Sequence, residues 1–201
     1  MLPLGKMSFG VSLTNFVRLI LDLVIRFNSS LDELKHKRWV TRYGFWFYFV
    51  FGINGAIESN FHYLISESFD KIQDKILAIG VLVLTGVLFA FLYRFIWINV
   101  VYFTGRIWNG KATKFEIDTV FAVALIPQCI LLLYSIVLGT ISNNFLYSEI
   151  NGALYFICMF LTIRTLIKGL SYMQGFSFGI AILNFVIPQL IVTVILMFFG
   201  I

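Results

Sequence analysis

Polar and charged side chains set in long apolar runs are the residues of this sequence best placed to do chemistry. They are Arg94, Gln128, Arg164, Asn184 and Gln189, with Glu116 and Asp118 at the head of one run. A charge or an amide is expensive in an apolar medium, so each needs a partner, a watery neighbour or a route to the surface. Arg94 and Arg164 admit two readings. Either the stem lies in lipid while the guanidinium reaches the headgroups, or each pairs with Glu116 or Asp118 in a polar cluster. Gln128, Asn184 and Gln189 are expected to hydrogen-bond across helices as structural glue or to line a substrate path, and the residues alone leave both uses open.

A catalytic constellation does not emerge. His36 in LDELKHKRW and His62 in a later connection are not spaced with Cys, Asp or Glu for a metal. The segment Asn109-Gly110-Lys111-Ala112-Thr113 lacks the leading glycine and the adjacent Lys-Ser/Thr pair of a phosphate loop, and reads as a tight turn. Cys129 and Cys158 are isolated thiols in apolar runs. Without a nucleophile, base or ligand set, the expectation is no enzyme, no cofactor and no metal.

The elements that position these residues follow from composition. Of 201 residues, 60% are hydrophobic, 12% are charged and 23 are Phe, against about half apolar and a quarter charged in a soluble domain. Mean hydropathy is +0.92. A domain of this size has too little interior to hide so much apolar surface, so the missing solvent is lipid. The fold class expected is all-α, a polytopic membrane helix bundle with five transmembrane helices, because backbone groups in lipid must be satisfied within each segment.

The runs able to cover about 30 Å of hydrocarbon begin with Tyr43–Ile57. The second is Ile76–Tyr93, continuing to Phe103 if Arg94 is tolerated; then come Thr119–Gly139, Gly152–Ile163 with Thr165–Ile167, and a last span inside Gly169–Ile201. Residues 43–201 thus form the membrane domain. Residues 1–42 form a cytoplasmic amphipathic and basic lead-in, with an amphipathic helix over Val11–Phe27. Ser30 with Glu33, and Thr113 with Glu116, fit capping boxes, and Ser177 can cap the last helix. Pro127 and Pro188 interrupt spans in matching Ile-Pro-Gln phrases, which duplication and chance explain equally well.

Orientation follows from Lys and Arg. Residues 1–42 carry seven cations at net +4, the 104–118 connection has Arg106, Lys111 and Lys114, the 140–151 connection has none, and Lys168 opens a 168–177 connection. The alternation puts the N-terminus in the cytoplasm and Ile201 on the far side of an inner or plasma membrane.

The pieces TGRIWNGKATKFEIDTVFAVALIP (104–127) and IRTLIKGLSYMQGFSFGIAIL (163–183) resemble the Yip domain family of five-span membrane proteins, of the Ypt/Rab-interacting type. Gly110, Lys111, Thr113, Phe115 and Pro127 match that family's first turn and broken helix, and Gly169, Gly175, Phe176 and Ser177 match its later turn. Asn109 stands where the first turn glycine is usual. The resemblance implies a non-enzymatic integral membrane protein of compact prokaryotic type, without the longer cytosolic domain that links other members to small GTPases. The function expected is a membrane scaffold or interaction protein touching anionic lipid headgroups and membrane-protein partners or a second copy, not nucleic acid. The alternative is a small transporter or channel with Arg94, Arg164, Gln128 and Gln189 around a cavity.

Overall fold

The computed structural model describes residues 31–32, 39–56, 72–142 and 149–198, which are helices joined by short turns, with no strand among the described residues. The Val11–Phe27 helix, the Ser30–Glu33 capping box, His36 and His62 lie outside them. In chain order the helices are α1 (Trp39–Ala56), α2 (Ile72–Leu92), a π-helical turn (Tyr93–Trp97), α3 (Ile98–Ile107), α4 (Lys114–Ala124), α5 (Ile126–Ser142), α6 (Glu149–Gln174) and α7 (Phe178–Phe198).

By length and composition, three helical stretches can cross a membrane: Ile79–Ile107, Lys114–Tyr134 and Gly152–Gln174, with a shorter apolar helix at Phe178–Ile191. At 1.5 Å per residue the first of these, 29 residues, is about 43 Å long, more than hydrocarbon requires, so its last turns reach the interface. Their surfaces behave as lipid-facing surfaces should. Phe156 is 72% exposed and Phe160 67%, and Ile79, Leu84, Leu88 and Phe91 also face outward, an arrangement that water would penalise at about 25 cal/mol per Å².

The core is built around α4, where every residue from Glu116 to Ala124 is buried. One side of α4 meets α1 and another meets α6; α3 packs against both α4 and α7. Helices α1 and α2 run antiparallel, since Tyr48 stacks near Tyr93 while Phe51 meets Phe89. Gly52 and Gly86 let them touch: a Cβ on Gly52 would stand 2.5 Å from Phe89 Cβ, and one on Gly86 would stand 2.8 Å from Ile53 Cγ1. Small residues at such crossings allow close packing where no hydrophobic drive separates lipid from protein.

Helix boundaries differ from the sequence expectation at two places. The helix of the third span opens at Lys114, where the capping box of Thr113 and Glu116 read from the sequence places its start, so the uncharged run from Thr119 begins inside it. It breaks at Leu125, ahead of Pro127, whereas Pro188 sits inside an unbroken α7. The fourth span runs through Arg164, Lys168 and Gly169 to Gln174, so the 168–177 connection shrinks to Gly175–Ser177. Gly169 is a packing residue and not a turn residue: its Cβ would stand 2.6 Å from Val120 Cγ1.

The two turns at this end are built alike and dock on each other. Helix α3 ends with Asn109 at φ 58°, with Gly110 N–H donating to the Gly105 carbonyl at 2.9 Å and Asn109 N–H to that of Arg106 at 3.1 Å. That is a Schellman motif with asparagine in the left-handed position usually held by glycine. Helix α6 ends with Gly175 at φ 71°, and Phe176 N–H donates to the Ser171 carbonyl at 3.0 Å. Lys111 N–H donates to the Gln174 carbonyl at 3.1 Å, joining the turns. The Gln174 side chain, 2% exposed, fills the space left by two glycines: a Cβ on Gly110 would lie 2.0 Å from its Oε1, and one on Gly105 2.3 Å from its Nε2.

Candidate functional site

The site gathers at the π turn. A π turn carries one residue more than an α turn and rotates everything beyond it by about 100°. Across it Arg94, Phe95, Ile98 and Asn99 come to one surface, facing Lys114, Phe115 and Asp118 from the first turns of α4. These seven residues line a cleft of about 260 Å³. The Asn99 amide nitrogen donates to the Phe95 carbonyl, which holds the turn and leaves Asn99 Oδ1 buried with no partner among the described residues.

Of the two readings for the arginines, Arg94 takes the paired one. Its Nη2 lies 3.2 Å from Asp118 Oδ2, with the side chains 25% and 11% exposed. The other carboxylate oxygen, Oδ1, accepts from the Tyr48 hydroxyl at 2.7 Å. Tyr48 is fully buried, so Asp118 ties α1, the π turn and α4 together through a charge-assisted network. Arg164 is exposed on α6. Glu116 closes the capping box, its carboxylate accepting from Thr113 N–H at 2.6 Å while Glu116 N–H donates to Thr113 Oγ at 3.3 Å.

The amides separate. Gln128 is buried in α5, Gln189 is exposed on α7, and Asn184 is fully buried. Asn184 sits against α3, where its Oδ1 accepts from the Thr104 hydroxyl at 2.8 Å, leaving Nδ2 without a partner among the described residues. The cleft at Arg94 contains none of Arg164, Gln128 and Gln189.

Beside the cleft stands a cationic and aromatic collar. Arg106 lies 5.1 Å from the Tyr102 ring centroid, and the Lys114 ammonium lies 5.3 Å from Tyr102 and 5.4 Å from Phe103, the arrangement of a membrane border. Lys111 and Lys168 are exposed at the same end, while Phe115 is half-buried and Phe176 buried. Tyr172 joins it, donating to Asp32 Oδ2 at 2.6 Å.

Sequence reasoning passed over Tyr48, Asn99, Thr104 and Gln174. Tyr48 left one signal, as the sole hydroxyl within FWFYFVF (45–51). Among the described residues no group of three His, Cys, Asp or Glu could hold a metal. No family model, curated protein or solved structure matches this chain.

Proposed function

We propose that this chain is a non-enzymatic, five-span membrane protein of the Yip domain type that acts as a membrane scaffold, associating with other membrane proteins through its helix faces and with anionic lipid through its cationic end. The observation that carries the reading is the pairing of broad outward apolar faces on α2 and α6 with the Arg106 and Lys114 collar over Tyr102 and Phe103. Helices α1 and α7 complete the five spans. The alternation of basic connections supports a cytoplasmic N-terminus and an Ile201 on the far side.

A carrier lined by Arg94, Arg164, Gln128 and Gln189 draws no support from a cleft that holds only the first of them. Crosslinking in native membranes, followed by identification of co-purifying chains, tests the scaffold role. Reproducible membrane-protein partners or a self-crosslink are expected, and recovery of the chain alone at every crosslinker dose refutes it. Reactivity of terminal tags on sealed cells tests the span count, and two ends reachable from one side refute five spans.

A further inference from the structure

We infer that the outward stripe of α6 around Arg164 is a docking surface for a membrane-spanning helix of another protein that carries a carboxylate near its middle. The inference rests on the scaffold reading and gives it one face and one partner chemistry. Depth comes first. The stretch Gly152–Gln174, 23 residues long, has its midpoint at Ile163, so Arg164 stands twelve residues from one end and ten from the other. At 1.5 Å per residue those separations are about 18 Å and 15 Å, farther than an arginine stem reaches. The nearer end is Gln174, yet helical side chains lean toward the N-terminus of their helix, which on α6 is Glu149. The Arg164 stem therefore starts away from the closer headgroups, and snorkelling serves it poorly.

Charge then selects the partner. Arg164 is exposed, and among the described residues it has no ion pair or hydrogen bond. On the same stripe Phe156, Ile157, Phe160 and Ile163 are exposed, at the three- and four-residue spacing of one helix face. Ionised side chains at such depth ordinarily face a bundle interior or a watery cavity and pair there. Arg94 meets that requirement within the chain, through Asp118 at 3.2 Å. Arg164 faces outward, so its counter-charge comes from outside the chain. Lys168, exposed one turn along the stripe, keeps this face cationic.

A second copy offers no matching acid. Among the described residues Glu116 is held in its capping box, Asp118 by Arg94 and Tyr48, and Asp32 by Tyr172. Glu149 opens α6 and Asp74 stands in the first turn of α2, so none of the five is spare at the centre of a span. The occupant is a different membrane protein, whose Asp or Glu does for Arg164 what Asp118 does for Arg94, while the apolar side chains of the stripe pack against its flanks.

The test reconstitutes the full chain in phosphatidylcholine vesicles at alkaline pH with synthetic polyleucine transmembrane peptides carrying Asp, Asn or Leu at the centre. Association is read by energy transfer from the protein's tryptophans to a label on the peptide. The wild type should hold the Asp peptide about tenfold more tightly than the Leu peptide, a difference of about 1.4 kcal/mol. Arg164→Leu should erase that difference, Arg164→Lys should keep it, and Arg164→Asp should transfer the preference to a peptide with a central Lys. Arg164→Leu should melt no lower than the wild type, because the side chain it replaces touches nothing in its own fold.

Equal binding of Asp and Leu peptides, or a preference that survives Arg164→Leu, overturns the proposal. So does an Asn peptide that binds as well as the Asp peptide, which would make the contact a hydrogen bond without charge, or a lower melting temperature for Arg164→Leu. Loss of the Asp preference when phosphatidylglycerol is added to the vesicles assigns Arg164 to a lipid phosphate and overturns the protein partner. Energy transfer between copies that Arg164→Leu abolishes assigns the face to a second copy and overturns it too. Crosslinked partners that persist with Arg164→Leu in native membranes remove this face while leaving the scaffold role intact, so the two readings fail separately.

Discussion

Reversing Asp118 to arginine should unfold the chain at lower temperature, and reversing Arg94, but not Arg164, should restore it. Unit charges 3.2 Å apart, as Arg94 and Asp118 stand, interact by about 5 kcal/mol at an effective dielectric of about 20 and by about 1.3 kcal/mol in bulk water. With one partner a quarter exposed, removing the carboxylate should cost about 3 kcal/mol, within the usual range for a broken buried pair. Part of the loss is softened because the Tyr48 hydroxyl also lies 3.2 Å from the Asp118 main-chain carbonyl, which survives substitution.

For a chain of this length, about 3 kcal/mol corresponds to roughly 6 to 12 °C in melting temperature. Thermal unfolding in detergent, followed by tryptophan fluorescence, reads it. Asp118→Arg should fall by at least that amount, and Arg94→Asp with Asp118→Arg should recover more than half. Arg164→Asp with Asp118→Arg should recover nothing, because Arg164 faces outward on α6. Equal rescue by both arginines, or an Asp118→Asn protein melting with the wild type, would refute the reasoning.

Other substitutions test the packing. Thr113→Ala removes the cap that holds the first turn of α4 and should cost about 1 kcal/mol, measured by denaturant titration in micelles. Gly169→Ala should cost about 1 to 3 kcal/mol by overpacking against Val120, and Val120→Ala in the same chain should return most of it. Asn109→Gly relieves a left-handed asparagine and should leave stability unchanged or raise it by a few tenths of a kcal/mol, whereas Gly175→Ala should lower it by about 1 to 2 kcal/mol; opposite signs would contradict the turn assignment. Tyr48→Phe should destabilise by about 1.5 to 3 kcal/mol in a chain with Asp118 and by much less in Asp118→Ala, a coupling that a double-mutant cycle measures directly.

The helices, their apolar character and the Thr113–Glu116 cap were legible in the residues, because each depends on a local quantity: run length, mean hydropathy, or a side chain reaching a backbone group three positions away. The extension of α6 through Lys168 and Gly169 was not legible. A cation and a glycine in sequence look like a turn, and only Val120, some fifty residues earlier in the chain, shows why the glycine belongs to a helix.

What the sequence by itself determined is the apolar character: 60% hydrophobic residues in long runs suit helices able to cross a membrane, where each segment must satisfy its own backbone. Which polar groups meet was decided by tertiary structure alone. Arg94 had two acidic candidates and found Asp118, since Glu116 was already held by its own cap. Tyr48, among aromatics of equal hydrophobicity, became a ligand of that carboxylate because helix α1 presents it there. Hydrophobic burial is non-directional and sums over composition, whereas a hydrogen bond or ion pair is decided within a few ångströms, by register and by the rotation that one π turn imposes.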